Sequence, residues 1–215
     1  MSVQLPEKRL IASFDVDAQK TFTPECPDEL PVPSGGQIAD ALNRQAEYAA
    51  YRIGSKEAHC PRAHWVASEK HPAFTKMDAP NMDSYWPAHA VPGTLGFEAI
   101  DGLPKPTDYD FFVWKGIELD LHPYGACYHD LHKKLSTGVI EFLRHKGVEW
   151  VLVGGLATDF CVAETVDQLI DADFTVVLNL SASRAINTLG AEKVCDRILE
   201  RGSHVIDSCD ELMLA

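Results

Sequence analysis

Three side chains far apart in the sequence have types that together suit nucleophilic chemistry: Asp17, Lys115 and Cys161. Cys161 follows an apolar run and a Gly-Gly-Leu-Ala-Thr-Asp turn, which predicts a sulfur in the first turn of the next helix. Unpaired N–H groups and the helix dipole there favour the thiolate, so a lowered thiol pKa is expected. The plainer reading is a small buried apolar residue, as most cysteines are. Asp17 and Lys115 each end a different predicted strand, so carboxylate, ammonium and thiol can meet at one sheet edge. The carboxylate would then take the thiol proton and return it to a leaving amine, while the ammonium steadies the charged partners. Singly, these are a surface Asp and a solvated Lys; only the constellation is informative. Asp15, two residues before Asp17 on the same predicted strand, shares its side of the sheet and is the fallback acid.

A second group is Glu57-Ala-His59, followed by His64, His71 and His89 in an irregular stretch. In extended chain Glu57 and His59 point the same way, so both can reach one cation, and a loop histidine such as His89 can close the set. Imidazole plus carboxylate suits zinc, iron or manganese. Solvated polar loop residues are the competing reading.

The elements that must position these groups alternate regularly. Strand-like runs cover 10–17, 52–55, 109–114, 150–154, 174–178 and 204–207, and helical spacing covers 36–51, 136–146, 159–170 and 187–201. Segment 56–107, rich in Pro, His and Trp, has no clear period, and a loop that long is expected to be functional. Strands joined by helices pair in parallel with right-handed crossovers and bind ligands beyond their carboxyl ends. The expected architecture is one α/β domain over 1–215, a three-layer, six-stranded mostly parallel sheet with helices on both faces. No Gly-rich turn follows the first strand, which argues against dinucleotide binding.

Composition narrows the partners. The 215-residue chain is 46% hydrophobic with a formal net charge of −13, an acidic globular composition. Phosphate backbones and anionic lipid are repelled, no Lys/Arg run offsets this, and no apolar run is long enough to cross a bilayer. A small-molecule substrate, with no nucleic acid and no membrane, is the expectation. The six cysteines form no C-x-x-C pair and read as free thiols in a reducing, cytoplasmic setting.

Four segments carry a family resemblance: Asp17-Ala-Gln-Lys-Thr-Phe22, Trp86-Pro-Ala-His89-Ala-Val-Pro-Gly-Thr94, Trp114-Lys115-Gly116 and Val153-Gly-Gly-Leu-Ala-Thr-Asp-Phe-Cys161-Val. In type, order and spacing they resemble the isochorismatase-like hydrolases, most closely the nicotinamidase/pyrazinamidase group. The resemblance spans nearly the whole chain. It implies Asp17 as catalytic carboxylate, Lys115 as its partner and Cys161 as nucleophile. It also implies a cis peptide between Leu156 and Ala157, with the N–H groups of Ala157 and Cys161 as oxyanion hole.

The family's D-x-H metal motif stands here as Glu57-Ala-His59, a departure by one methylene, with His89 from W-P-x-H; some relatives carry a further histidine near the position of His64. Phe22 and Trp86 would sandwich an aromatic ring, with Tyr124 as a further wall, although packing is the commoner role of aromatics. The implied reaction deamidates nicotinamide or pyrazinamide through a Cys thioester, beside a divalent transition metal, in a homo-oligomer. A metal-independent amide or ureide hydrolase would keep Asp17, Lys115 and Cys161 without needing Glu57, His59 and His89. A non-catalytic binding protein on this scaffold would release no ammonia from nicotinamide.

Overall fold

The computed structural model describes residues 2–215. Its centre is one six-stranded sheet whose pairings are all parallel. In chain order the strands are β1 (Ile11–Val16), β2 (Tyr51–Glu57), β3 (Phe111–Lys115), β4 (Trp150–Leu156), β5 (Thr175–Arg184) and β6 (His204–Ile206). Their spatial order is β3-β2-β1-β4-β5-β6, so the winding direction reverses between β1 and β4. Every residue of β1 is buried, Ser13 and Asp15 included, as befits a central parallel strand covered on both faces.

The helices are α1 (Ala39–Ala46), α2 (Val139–His145), α3 (Ala163–Asp171) and α4 (Thr188–Glu200). Ala12, Phe14, Val151, Val153, Val176 and Leu178 present one face of the sheet to Val139, Ile140 and Leu143 of α2, Val166 and Leu169 of α3, and Val194 and Ile198 of α4. On the opposite face α1 places its fully buried Gln45 against the sheet, where the amide donates to Ser13 Oγ and the Leu152 carbonyl, both at 3.1 Å. Near the sheet's other end, Val3–Gln4 pairs in parallel with Leu212–Met213 over an apolar cluster that includes Leu5, Ile11 and Leu152.

The helix expected over 36–51 is shorter, because Tyr51 pairs with Ala12 as the first residue of β2 and the chain must turn before it. The helix expected from 159 starts instead as a π-helical turn over Thr158–Val162 that leads into α3. Segment 56–107 is far from structureless. It holds the hairpin of Lys76–Ala79 with Met82–Ser84 and buries Trp65, Met82, Trp86 and Ile100 against Phe22, Ile38 and Leu42, forming a wall over the strand ends.

Candidate active site

The site lies where β1 to β4 end. Asp17 is one residue past β1 with φ 44°, a left-handed conformation that Asp tolerates and that turns its side chain away from the strand's alternation. Ser55 Oγ donates to its Oδ1 at 2.7 Å, and Lys115 Nζ lies 3.0 Å from its Oδ2. Glu57 and Lys115 end β2 and β3 as direct register partners, so their side chains meet across the strands, with Nζ 2.9 Å from Glu57 Oε1. Gln19 clamps the Glu57 backbone, accepting from its N–H at 2.8 Å and donating to its carbonyl at 2.9 Å.

Beyond β4, Gly155 has φ 139°, and a Cβ there would collide with the Val16 carbonyl; only glycine lets β4 run this close to β1. The cis Leu156–Ala157 peptide follows, as the resemblance implied. The turn then brings Cys161 Sγ to 3.8 Å from Lys115 Nζ and 3.4 Å from Glu57 Oε1.

These groups are almost wholly buried, and burial decides their charge states. Loss of water pushes the Asp17 carboxyl above its usual range, and Lys115 only partly offsets it. Burial acts on Glu57 in the same direction, but Lys115 and His59 outweigh it and hold this carboxyl well below the ordinary value. Lys115 stays charged because Asp17, Cys161 and Glu57 overcome its own desolvation. Burial raises the Cys161 thiol well above its usual pKa, and Glu57 and Asp17 add to this against the pull of Lys115. The thiolate expected from the helix terminus is thus not the resting form. The sulfur sits in a buried π-helical turn facing carboxylates, so its proton must be taken before it can attack.

Asp15 belongs to a different cluster. Its Oδ2 accepts from Arg52 at 2.6 and 2.9 Å and from Tyr109 at 2.8 Å, so the expected fallback acid is held away from the thiol by its own ion pair.

The second expected group assembles beside the first through Glu57, whose Oε2 lies 2.9 Å from His89 Nε2 and 3.2 Å from His59 Nε2. Each ring is oriented from behind, with His59 Nδ1 donating to the Gly116 carbonyl at 2.9 Å and His89 Nδ1 to that of Pro87 at 2.7 Å. Gly116, with φ 75°, admits the His59 ring, since a Cβ there would strike it. His64 and His71 are exposed and stand apart. His122, which carries no sequence signal beyond its residue type, joins His59 and His89, with ligand atoms of the three all within 4.8 Å of one another.

Burial pushes the His122 pKa down, keeping its ring neutral, and neither of its nitrogens has a hydrogen-bond partner. Imidazoles gathered beside a carboxylate oxygen form a donor set that suits a divalent transition metal.

A narrow pocket opens onto both groups. Phe22, Trp86, Tyr124, Phe160 and Ile186 wall it, and Ala157, Cys161, Glu57, His89 and His122 supply its polar and reactive lining. Trp86 meets Phe160 edge-on at 5.5 Å between ring centroids, and Tyr124 is anchored by donating to Asp83 Oδ1 at 2.7 Å. Apolar flat walls with a few convergent polar groups are what a small aromatic ligand needs. Sequence reasoning missed Ser55, His122, Phe160 and Ile186 as site residues.

Residues 56–210 match the family described as the Isochorismatase domain. The nicotinamidase of Acinetobacter baylyi is 26% identical over 195 residues, covering 89% of each chain. The nicotinamidase/pyrazinamidase of Mycobacterium tuberculosis is 28% identical over 181 residues, covering 80% of this chain and 87% of that one. A solved nicotinamidase/pyrazinamidase from Acinetobacter baumanii superposes with a TM-score of 0.83 at 26% identity over 94% of this chain and 98% of that one.

Proposed function

This chain belongs to the isochorismatase family, and from that premise we propose that it is an amidohydrolase that converts nicotinamide, or the similar pyrazinamide, to the acid and ammonia. The reading takes residues 1–215 as one catalytic domain. The observation that carries it is the convergence of a thiol, two carboxylates and an ammonium, of which Cys161 and Glu57 line an aromatic-walled pocket.

In this reading Phe22 and Trp86, with Tyr124, hold the flat ring and bring its carboxamide over Cys161. Asp17 accepts the thiol proton. Its raised pKa makes it a better acceptor than Glu57, whose carboxylate is too acidic to keep a proton although it is nearer to hand. The thiolate attacks the amide carbon, and the developing oxyanion is met by the N–H groups of Ala157 and Cys161. Asp17 returns its proton to the amide nitrogen, and the C–N bond breaks to release ammonia and leave a thioester. A water molecule deprotonated by Asp17 then cleaves the thioester, freeing the carboxylic acid and the thiol. Lys115 stays charged throughout and balances whichever of Asp17, Glu57 or Cys161 bears the negative charge.

Glu57, His59 and His89 would hold a divalent transition metal, which when bound supplies a Lewis acid for the ring nitrogen of the substrate. The residues themselves orient the ring and exclude water from the thiol.

Ammonia release from nicotinamide by the purified protein tests the reading directly. The Cys161→Ala variant is expected to lose at least about 10³-fold in turnover while still binding the substrate. Variant turnover within tenfold of the unaltered protein would overturn the scheme.

A further inference from the structure

We propose that His122 is a ligand of the divalent ion, so that the metal centre of this chain is built on three imidazoles, His59, His89 and His122, beside Glu57. The inference rests on the deamidation reading above for the presence of an ion and deepens it by naming a ligand from a different loop.

The first observation is an orphan. His122 is 3% exposed, and both of its ring nitrogens lack a partner, whereas buried polar atoms are nearly always bonded. A bare imidazole at the cavity wall is accounted for when one nitrogen faces an ion.

The second is placement. The His122 ring stacks on His59 with centroids 5.3 Å apart and planes 18° apart, and lies 6.1 Å from His89. Trp65 meets the ring edge-on at 4.5 Å, Trp86 stacks on it at 5.8 Å, and the backbone N–H of His122 donates to the Asn81 carbonyl at 3.0 Å, so backbone and ring are both held. Ligand atoms within 4.8 Å of one another need draw in by no more than about 1.8 Å to reach the spacing of neighbouring ligands in a five-coordinate site with bonds near 2.1 Å, where the fifth position stays open to the ring nitrogen.

The third is the shortage of ligands elsewhere. Glu57 Oε1 is taken by Lys115 and receives the Cys161 thiol, so one oxygen remains for an ion. With His59 and His89 that makes three protein atoms. His64, the sequence candidate for an additional ligand, is exposed and separate.

The test measures metal on the full chain. Wild type loaded with zinc and dialysed is expected to retain one equivalent, and the cobalt-substituted protein to give a defined visible spectrum. His122→Phe keeps the stacking on Trp86 but offers no ligand. It should weaken zinc binding by at least the roughly 10- to 100-fold that loss of even an outer partner costs, and alter the cobalt spectrum, while the metal-free variant unfolds at or above the midpoint of metal-free wild type. His64→Ala should change none of these.

Unchanged zinc affinity and an unchanged cobalt spectrum in His122→Phe would overturn the inference. Should that variant fail to fold, X-ray absorption on zinc-loaded wild type decides by itself, three imidazoles supporting the inference and two overturning it. Wild type that takes up no metal would overturn both this inference and the metal assigned above. Ammonia release from nicotinamide by zinc-loaded wild type separately reports whether the deamidation reading survives.

Discussion

Lys115 is wholly buried between Asp17 and Glu57, and that burial governs what its replacement does. Lys115→Met leaves two carboxylates without a cation. Removing one partner of a buried pair costs about 3 kcal/mol or more, measured as a drop in urea midpoint. The same change removes the one group that lowers the thiol pKa. Alkylation of Cys161 at pH 8, followed by mass spectrometry, should therefore be slower in Lys115→Met than in wild type; faster alkylation would contradict the charge assignment. Lys115→Arg should not restore turnover, since a fully enclosed site has no room for the larger planar head.

At the level of elements, the turn after β4 and the loop ahead of α2 make separate predictions. Gly155→Ala forces a Cβ against the Val16 carbonyl at a φ of 139°, so a loss of about 3 kcal/mol or more is expected. Turnover should fall with it, because Ala157 and Cys161 follow directly. Ahead of α2, the Asp130 carboxylate accepts from the N–H groups of His132 at 2.9 Å, Lys134 at 3.0 Å and Leu135 at 2.6 Å. Burial pushes this carboxyl up, but those N–H groups outweigh it and hold its pKa below the usual range. An acid depressed in the folded state stabilises above its unfolded pKa of about 3.9 and loses that contribution as pH falls through the folded value. Asp130→Ala should thus cost about 1–3 kcal/mol near pH 7, and the difference from wild type should close in strong acid. A gap unchanged down to pH 2 would refute the assignment.

Across the whole molecule the ends of the chain clasp far from the reactive groups. Leu5, 1% exposed, packs with Ile11, Leu152 and Leu212, and its N–H donates to the Met213 carbonyl at 2.8 Å. Leu5→Ala should lower stability by about 2–5 kcal/mol in urea unfolding, with ammonia release per folded molecule unchanged. Among the described residues no helix is long and apolar enough to cross a membrane, and all six cysteines are free. Local patterns in the chain were enough for the alternating elements, the parallel sheet and the placing of Asp17, Lys115 and Cys161 at strand ends, because an apolar run and the turn that ends it are local signals. Three features arise only in the folded chain. Register between β2 and β3 put Glu57 opposite Lys115, so one carboxylate serves both the thiol and the histidines. Burial, which no local pattern reports, set the thiol pKa above its usual value rather than below it. His122 comes from a stretch without period and reaches His59 only because Trp65 and Trp86 pack around it, a long-range contact invisible to any window of sequence.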